Sequence, residues 1–287
     1  MLKFYVQFRC TPKRLIHAAA ALALSLGCFA QNPAEPAANP ASAEAGQAGS
    51  EAAPASDEAT THLLDSEALW MQDYMASMPA KDALWLGEGE TPFIAFSQPA
   101  VNPKQLGILL LGSSPADLTG QGWQRHLYDN LPLHGWSALA TLVPPANAAS
   151  DDQQKAQTRL RAATAWLLDQ GARSFTIVGD EDSIQVAVNS CIANAENCSG
   201  IVLWRVAEAQ LQNLELENLQ QSRVSVLDVL DGQPHGNMRL RRKRHFDAAG
   251  FDNDYRPIVI PQADNAATWA LASKRLRHWL DSTFASE

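Results

Sequence analysis

The stretch that most constrains this chain is Ser174–Ser190, with the sequence SFTIVGDEDSIQVAVNS. It begins with an apolar run rich in β-branched residues, typical of a strand, and ends with a second apolar run of helical character. The turn between them has small residues, Gly179 and Ser183, two positions before and after Glu181. A buried strand that passes sharply into a helix needs small side chains there, because larger ones would clash with neighbouring elements. The stretch therefore predicts a strand, a tight turn and a helix.

Strand-like and helix-like patterns alternate on both sides of that stretch. Strands are predicted at 83–86, 91–97, 106–111, 137–143, 175–178, 200–205, 224–229 and 256–260, and helices at 122–133, 151–170, 208–219 and 269–284. The apolar run Leu106–Leu111 is typical of a strand buried in a parallel sheet, whereas the first two strands predict an antiparallel hairpin at an edge. This alternation indicates an α/β fold with a mostly parallel sheet and helices on both faces.

The carboxyl ends of the predicted strands are where a functional site is expected. Ligands of open α/β sheets bind beyond the carboxyl ends of the strands, where connecting loops converge. Four segments of this chain follow predicted strands in that way: Gly112–Pro115, Gly179–Ser183, Asp228–His235 and Pro261–Asn265. The candidate site residues are taken from these segments.

Residues 83–284, read in this order, resemble the α/β-hydrolase fold. The strand Gln105–Pro115 with its Gly-Ser loop, the run GARSFTIVG and the segment CIANAENCSGIVLW are similar to an exported bacterial family known only as a domain of unknown function. The resemblance implies a nucleophile on the elbow after the 175–178 strand and an oxyanion loop near Ser113. It also implies an acid after the 224–229 strand and a histidine after the last strand.

The chain departs from that pattern at two of the three triad positions. Glu181 stands at the elbow position where such a hydrolase has serine, and Pro261–Asn265 contains no histidine. Asp228 or Asp231 is available as the acid. The resemblance therefore implies an α/β-hydrolase-like protein with a degenerate catalytic triad.

Two functional hypotheses follow from these residues. The first is a non-catalytic protein that binds a ligand or gives structural support, with Ser113, Ser114 and Asp182 as a candidate oxyanion or ligand loop. The alternative is a hydrolase that cleaves an ester or related bond at an atypical site around Glu181, Asp231 and His235. A carboxylate on the elbow can attack as a nucleophile if a histidine then activates water against the enzyme ester.

The carboxylates at the strand ends also admit a metal hypothesis. Asp180, Glu181, Asp182, Asp228 and Asp231 would form an oxygen-rich site for Ca²⁺ or Mg²⁺ if they converged. The chain has no compact ligand motif of the EF-hand kind, so solvated acidic turns are the simpler interpretation. We therefore expect neither a metal nor a cofactor.

The amino-terminal residues have the pattern of an export signal. Four basic residues precede the apolar run Leu15–Leu26, and Cys28-Phe29-Ala30 provides small residues for cleavage before Gln31. Leu26-Gly27-Cys28 admits the alternative of a lipid anchor on Cys28. Residues 31–60 lack large apolar side chains and are predicted to be a disordered linker. We expect one domain at 61–287, opening with a methionine-spaced helix at 64–78.

Export would place the chain in the periplasm, with or without the lipid anchor. Cys191 and Cys198 are the cysteines left after cleavage, and in an exported protein they are expected to form a disulfide. Removal of residues 1–30 leaves 18 basic and 31 acidic residues, a net charge of −13. That charge opposes general nucleic-acid binding, which needs a basic surface. The expected partner is a small molecule or a periplasmic protein, with no membrane span after signal removal.

One dense basic run interrupts this acidic chain. It comprises Arg239, Arg241, Arg242, Lys243, Arg244 and His245. The simpler interpretation is a charged helix balanced by Asp247, Asp252 and Asp254. The functional alternative is docking to anionic lipid, a cell-wall polymer or the acidic face of a partner.

Overall fold

The computed structural model describes residues 82–87, 92–113, 117, 122–144, 150–232, 237–261 and 265–284. All of them belong to the unit Pro54–Glu287. The predicted signal peptide (1–30), linker (31–60) and methionine-spaced helix lie outside the described residues and stay predictions. None of the described helices is both long enough and apolar enough to cross a membrane.

The described strands form one mixed sheet. They are β1 (Ala83–Leu86), β2 (Phe93–Gln98), β3 (Leu106–Gly112), β4 (Ser137–Leu142), β5 (Ser174–Gly179), β6 (Cys198–Trp204), β7 (Ser225–Asp231) and β8 (Tyr255–Ile260). Their order is β1-β2-β4-β3-β5-β6-β7-β8, so β1 and β8 are the edges. Strand β2 runs antiparallel to β1 and β4, and the remaining pairs are parallel. This confirms the predicted mostly parallel sheet with an antiparallel hairpin at one edge.

Helices cover both faces of the sheet, as predicted. They are α1 (Trp123–Asn130), α2 (Ser150–Asp169), α3 (Ile184–Ala193), α4 (Glu208–Leu211), α5 (Leu216–Gln221), α6 (Met238–Ala248) and α7 (Ala266–Phe284), and a 3₁₀ turn, Leu131–His134, follows α1. Apolar side chains of α2 to α6 pack in one core cluster, and those of α1 and α7 pack in the other. Strand β3 serves both cores, since Leu109 faces the first and Leu110 the second. Burial on both faces explains its unbroken apolar sequence.

The single helix predicted at 208–219 is wrong, because the structure has two short helices there, α4 and α5. Leu211 and Leu214, three positions apart, fit one face of a helix, but Leu216 and Leu219 would point elsewhere if the same helix continued. The break between the two helices lets all four leucines reach the core. Core burial therefore overrides helix continuity at this place.

A disulfide joins the helix after the turn to the neighbouring strand. Cys191 lies in α3 and Cys198 is the first residue of β6, with their Cα atoms 5.2 Å apart. Both cysteines are buried. The predicted pairing is confirmed, and it fixes the far end of α3 against the sheet.

Candidate functional site at the carboxyl edge

The turn between β5 and α3 is held by reciprocal hydrogen bonds between Asp180 and Ser183. The Asp180 N–H donates to Ser183 Oγ over 3.0 Å, and the Ser183 N–H donates to Asp180 Oδ1 over 3.2 Å. Ser183 Oγ–H also donates to Asp180 Oδ1 over 2.8 Å. Exchange of this kind is the chemistry of a capping box, which satisfies the free N–H groups at a helix start. The turn is therefore closed by its own side chains, while Ser183, the N-cap of α3, makes no side-chain hydrogen bond into the helix.

Gly179 confirms the predicted need for a small residue before the turn. A Cβ at this position would lie 3.2 Å from both Ile184 Cα and Ser183 Oγ. Ser183 itself is fully buried beneath the turn. The close approach of strand and helix therefore requires small residues at these two positions, as the sequence indicated.

Glu181 lies at the predicted elbow position but lacks the strain of a nucleophile elbow. In hydrolases of this fold the nucleophile sits on a sharp, strained turn that raises its side chain above the sheet. The described non-glycine residues with a left-handed φ are Asn102, Gln105, Arg205 and Arg223, so Glu181 is not among them. Its side chain is exposed, and its carbonyl accepts a hydrogen bond from Gln210 Nε2 over 3.0 Å. The backbone at Glu181 thus shows no elbow geometry.

Ser113 and Asp182, two of the three predicted loop residues, do meet at this edge. Ser113 Oγ donates to Asp182 Oδ2 over 3.3 Å. The backbone N–H of Ser113 donates to Asp117 Oδ2 over 3.1 Å. The N–H predicted as an oxyanion donor is therefore already paired with a carboxylate of the same chain. Ser114 lies outside the described residues.

Asp180 is the residue of this site whose pKa is shifted. Burial raises the pKa of its carboxyl group, and the hydrogen bonds from Ser183 oppose that rise. The carboxylates of Asp117 and Asp182 raise the pKa of Asp180 further by repulsion. Gln124 Nε2, itself buried, lies 3.5 Å from Asp180 Oδ2. The half-buried acid of this turn is thus Asp180, whereas Glu181 is exposed.

Asp231 ends β7 and pairs with the residue that follows β6. Its Oδ1 lies 3.4 Å from Arg205 Nη2. Arg205 has a left-handed φ of 54°, a strained conformation for a non-glycine residue. No hydrogen bond or ion pair joins Asp231 to Glu181 within the part of the chain that the structure describes, and His235 falls outside that part. The predicted constellation of Glu181, Asp231 and His235 therefore stays a prediction.

Asp228, the other candidate acid, belongs to a buried ion pair. Its two carboxylate oxygens lie 2.8 and 3.0 Å from Arg242 Nη1, and the Tyr255 hydroxyl donates to Oδ2 over 2.6 Å. Arg242 Nη2 also donates to the carbonyl of Val206. Burial and the Asp228 carboxylate raise the pKa of Tyr255, which keeps its hydroxyl a donor. Asp228 is fully buried by these contacts and is not available at the carboxyl edge.

The carboxylates therefore do not converge into the hypothetical metal site. Among the described residues, no group of three or more His, Cys, Asp or Glu side chains could hold a metal ion. Asp228 is committed to Arg242, and Asp231 to Arg205. The acidic residues near the turn, Asp180 and Asp182, interact instead with Ser183 and Ser113.

Sequence reasoning missed Arg242 and Asp117. Arg242 was grouped with a solvated basic run, although it lies four positions before the buried Phe246 and so shares its helix face. Asp117 lies four positions after Ser113, and no apolar periodicity in the sequence distinguishes it. Its position against the Ser113 N–H could be found only in three dimensions.

Comparison with known proteins supports the fold but gives no family. No family model matches the chain, and no curated protein matches it. Among similar solved structures are Est1E from Butyrivibrio proteoclasticus, with 11% identity and a TM-score of 0.53 over 71% of this chain and 99% of that one. A protein of unknown function from Agrobacterium tumefaciens, described as an alpha/beta hydrolase, has 11% identity and a TM-score of 0.54 over 71% and 97%. Dienelactone hydrolase from Anabaena variabilis has 15% identity and a TM-score of 0.54 over 70% and 96%.

These likenesses, together with the sheet order, show that the chain has the α/β-hydrolase fold. Identity this low carries the fold and not the activity. Membership of the exported family of unknown function stays a prediction from the sequence.

Proposed function

We propose that this chain is an exported protein of the α/β-hydrolase fold that binds a ligand or partner and does not carry out acyl transfer at the elbow. The observation that carries the proposal is Glu181, which stands exposed on an unstrained turn. A nucleophile must be aimed at the reacting atom by the backbone that holds it. The backbone of the turn between β5 and α3 does not hold the Glu181 carboxylate in this way.

The pairing of Ser113 supports the same conclusion. Acyl transfer needs free N–H groups pointing at the place where negative charge develops on the substrate oxygen. Here the Ser113 N–H is paired with Asp117, and Asp182 accepts from the Ser113 hydroxyl. An oxyanion at this place would have to displace one carboxylate and stay close to another.

A hydrolase with an atypical site around Glu181, Asp231 and His235 is the second candidate. Its support comes from the similar structures, two of which are described as an alpha/beta hydrolase and a dienelactone hydrolase. Asp231 also lies at the carboxyl end of β7, where the fold carries its acid. This candidate needs His235 to reach Glu181.

The test is hydrolysis of short- and medium-chain nitrophenyl esters by the purified chain. The variants are Glu181→Ala and His235→Ala, with Glu196→Ala as a control for removal of an exposed glutamate. We expect no turnover above the uncatalysed rate in any of the four proteins. Turnover that falls at least 100-fold in Glu181→Ala and His235→Ala but survives in Glu196→Ala would establish the second candidate.

Export and a periplasmic location belong to this proposal. They are supported by the signal-like residues 1–30 and by the buried disulfide of Cys191 and Cys198, since such bonds persist in oxidising compartments. The anchor on Cys28 stays an alternative to free release after Ala30.

A further inference from the structure

The outer side of α6 carries a cluster of exposed cations with a leucine among them. This α6 outer face is defined as the exposed residues Arg239, Leu240, Arg241, Lys243 and Arg244, with Arg239 at its margin beside the inner residues. Leu240 is 46% exposed, one of the few large apolar side chains to face solvent in the described chain. The protein as a whole has a net charge of −9. The α6 outer face therefore differs from the protein as a whole, because it is positively charged and carries an exposed apolar side chain.

The acidic residues near α6 balance this face only in part: of the three that the simpler interpretation named, Asp247 does so. Lys243 Nζ pairs with Asp247 over 2.7 Å, and Arg241 Nη2 pairs with Glu208 over 3.0 Å. Arg239 and Arg244 have no ion-pair partner among the residues that the structure describes. At least two cations of the outer face thus remain available to an anionic surface.

The inner side of α6 holds the helix firmly in place. Arg242 is bound to the buried Asp228, and the Phe246 ring stacks on Tyr255 with ring centroids 4.0 Å apart. Phe251 packs edge-on against Phe246, with 5.5 Å between centroids. A helix fixed in this way presents its outer face without reordering, so docking carries little entropic cost.

The combination of positive charge and an exposed leucine favours an anionic lipid bilayer over a soluble anionic polymer. Each cation near an anionic bilayer adds about fivefold to binding, and a bilayer also accepts an apolar side chain at its headgroup boundary. A soluble anionic polymer would attract the arginines but would give Leu240 no apolar surroundings. Because the chain is acidic overall, an orientation that turns α6 toward the anionic surface is favoured over the average orientation.

We propose that the α6 outer face docks the protein on the surface of an anionic lipid bilayer. The proposal does not depend on whether the carboxyl edge is catalytic. A negative result in the lipid assay therefore says nothing about the ester assay, and the reverse also holds. Docking of this kind is electrostatic and reversible, and it weakens as salt screens the charges.

Sedimentation with lipid vesicles tests the proposal. The mature chain, residues 31–287, is mixed with vesicles of phosphatidylcholine alone or with 30% phosphatidylglycerol, because the basic and apolar residues 1–30 would themselves bind lipid. We expect binding only with phosphatidylglycerol, and a fall in binding as salt increases. Arg239→Gln combined with Arg244→Gln should lower binding about 25-fold, since each cation contributes about fivefold. Equal binding to both kinds of vesicle, or to neither, would overturn the proposal.

A matched control separates the helix face from net charge. Arg161→Gln combined with Arg173→Gln removes two exposed cations elsewhere in the chain and should leave vesicle binding within about twofold of the wild type. An equal loss in both double variants would mean that only net charge matters and would overturn the docking face. Thermal unfolding of each variant verifies that the folded state is retained.

Leu240→Ala distinguishes a bilayer from a soluble anionic polymer. We expect this variant to bind anionic vesicles severalfold more weakly but to bind dextran sulfate as the wild type does. If vesicle binding is unchanged and dextran sulfate binds as tightly as the vesicles, the face recognises anionic polymers and the lipid proposal is wrong.

Discussion

Asp180 shows how a single residue sets the character of the candidate site. Its carboxylate caps the turn between β5 and α3, yet burial and the nearby carboxylates of Asp117 and Asp182 disfavour its charge. A capping residue normally stabilises a helix start by about 1 kcal/mol. Here that gain is reduced at neutral pH because the ionised group is half-buried and close to two other carboxylates.

Asp180→Asn is expected to remove a pH dependence from folding stability. The pKa of Asp180 is higher in the folded than in the unfolded chain, so its favourable contribution is full below the unfolded pKa and is lost as pH rises through the folded one. Asparagine keeps the acceptor oxygen for Ser183 and has no charge. The stability of the variant relative to the wild type should therefore rise between pH 3.5 and pH 7, as measured by urea unfolding.

Glu181→Gln is the control, since it alters an exposed carboxyl in the same turn. A relative stability of Asp180→Asn that stays flat or falls over this pH range would contradict the assignment of Asp180 as the perturbed acid. A rise of the same size in Glu181→Gln would do so as well.

At the residue scale, the sequence could identify positions but not their partners. Gly179 and Ser183 were predictable because steric limits act on neighbours along the chain. Ser113 was predictable as the residue after a buried strand, but the carboxylate of Asp117 that pairs with its N–H was not. No periodic pattern in the sequence connects the Asp117 carboxylate with the Ser113 N–H, so the sequence does not reveal this contact.

Among the elements, α6 is the one whose attachment differs most from expectation. The basic run predicted a solvated helix, and most of its cations are exposed. Arg242 is instead buried, with hydrogen bonds to Asp228 and to the carbonyl of Val206. One arginine of the run thus connects the helix to β7, while its neighbours face solvent.

Arg242→Ala is expected to lower the free energy of unfolding by about 3–5 kcal/mol, because it leaves the buried carboxylate of Asp228 without its counter-charge. Arg244→Ala, in the same helix but exposed, should change it by no more than about 0.5 kcal/mol. Urea unfolding followed by circular dichroism measures both. Similar losses in the two variants would show that the buried pair contributes nothing specific.

At the scale of the whole molecule, the sequence indicated the fold class but not the order of the strands. Buried apolar runs predict strands because a parallel sheet covers both of their faces. The order depends on pairings between distant parts of the chain, such as β3 with β5, which leave no local signal. The choice between Asp228 and Asp231 was likewise hidden, since β7 is buried on both faces and Asp231 is exposed only because it ends the strand.

The disulfide connects stability to the proposed compartment. By the chain-entropy model, closing the short loop between Cys191 and Cys198 stabilises the fold by about 2–3 kcal/mol. The chain expressed in a bacterial cell with residues 1–30 should be exported and fully oxidised. The chain expressed without them should be recovered reduced and should unfold at a lower urea concentration.

Titration of free thiols and urea unfolding measure the two preparations. Cys191→Ser combined with Cys198→Ser should match the reduced chain in stability. An oxidised pair in the chain that lacks residues 1–30, or export without those residues, would contradict the signal assignment.

The two edges of the sheet also affect what happens when many copies of the chain are crowded together. An open strand edge offers unpaired N–H and C=O groups, to which a second copy can add its own strand and begin a fibre. Strand β1 is only four residues long, and β8 carries Pro257, which has no N–H to donate, beside the exposed Arg256. A short strand at one edge and a proline next to a charge at the other give a foreign strand little to pair with. The two edge strands therefore disfavour strand addition between copies. The protein should remain dispersed at concentrations where a sheet with long, regular edges would aggregate.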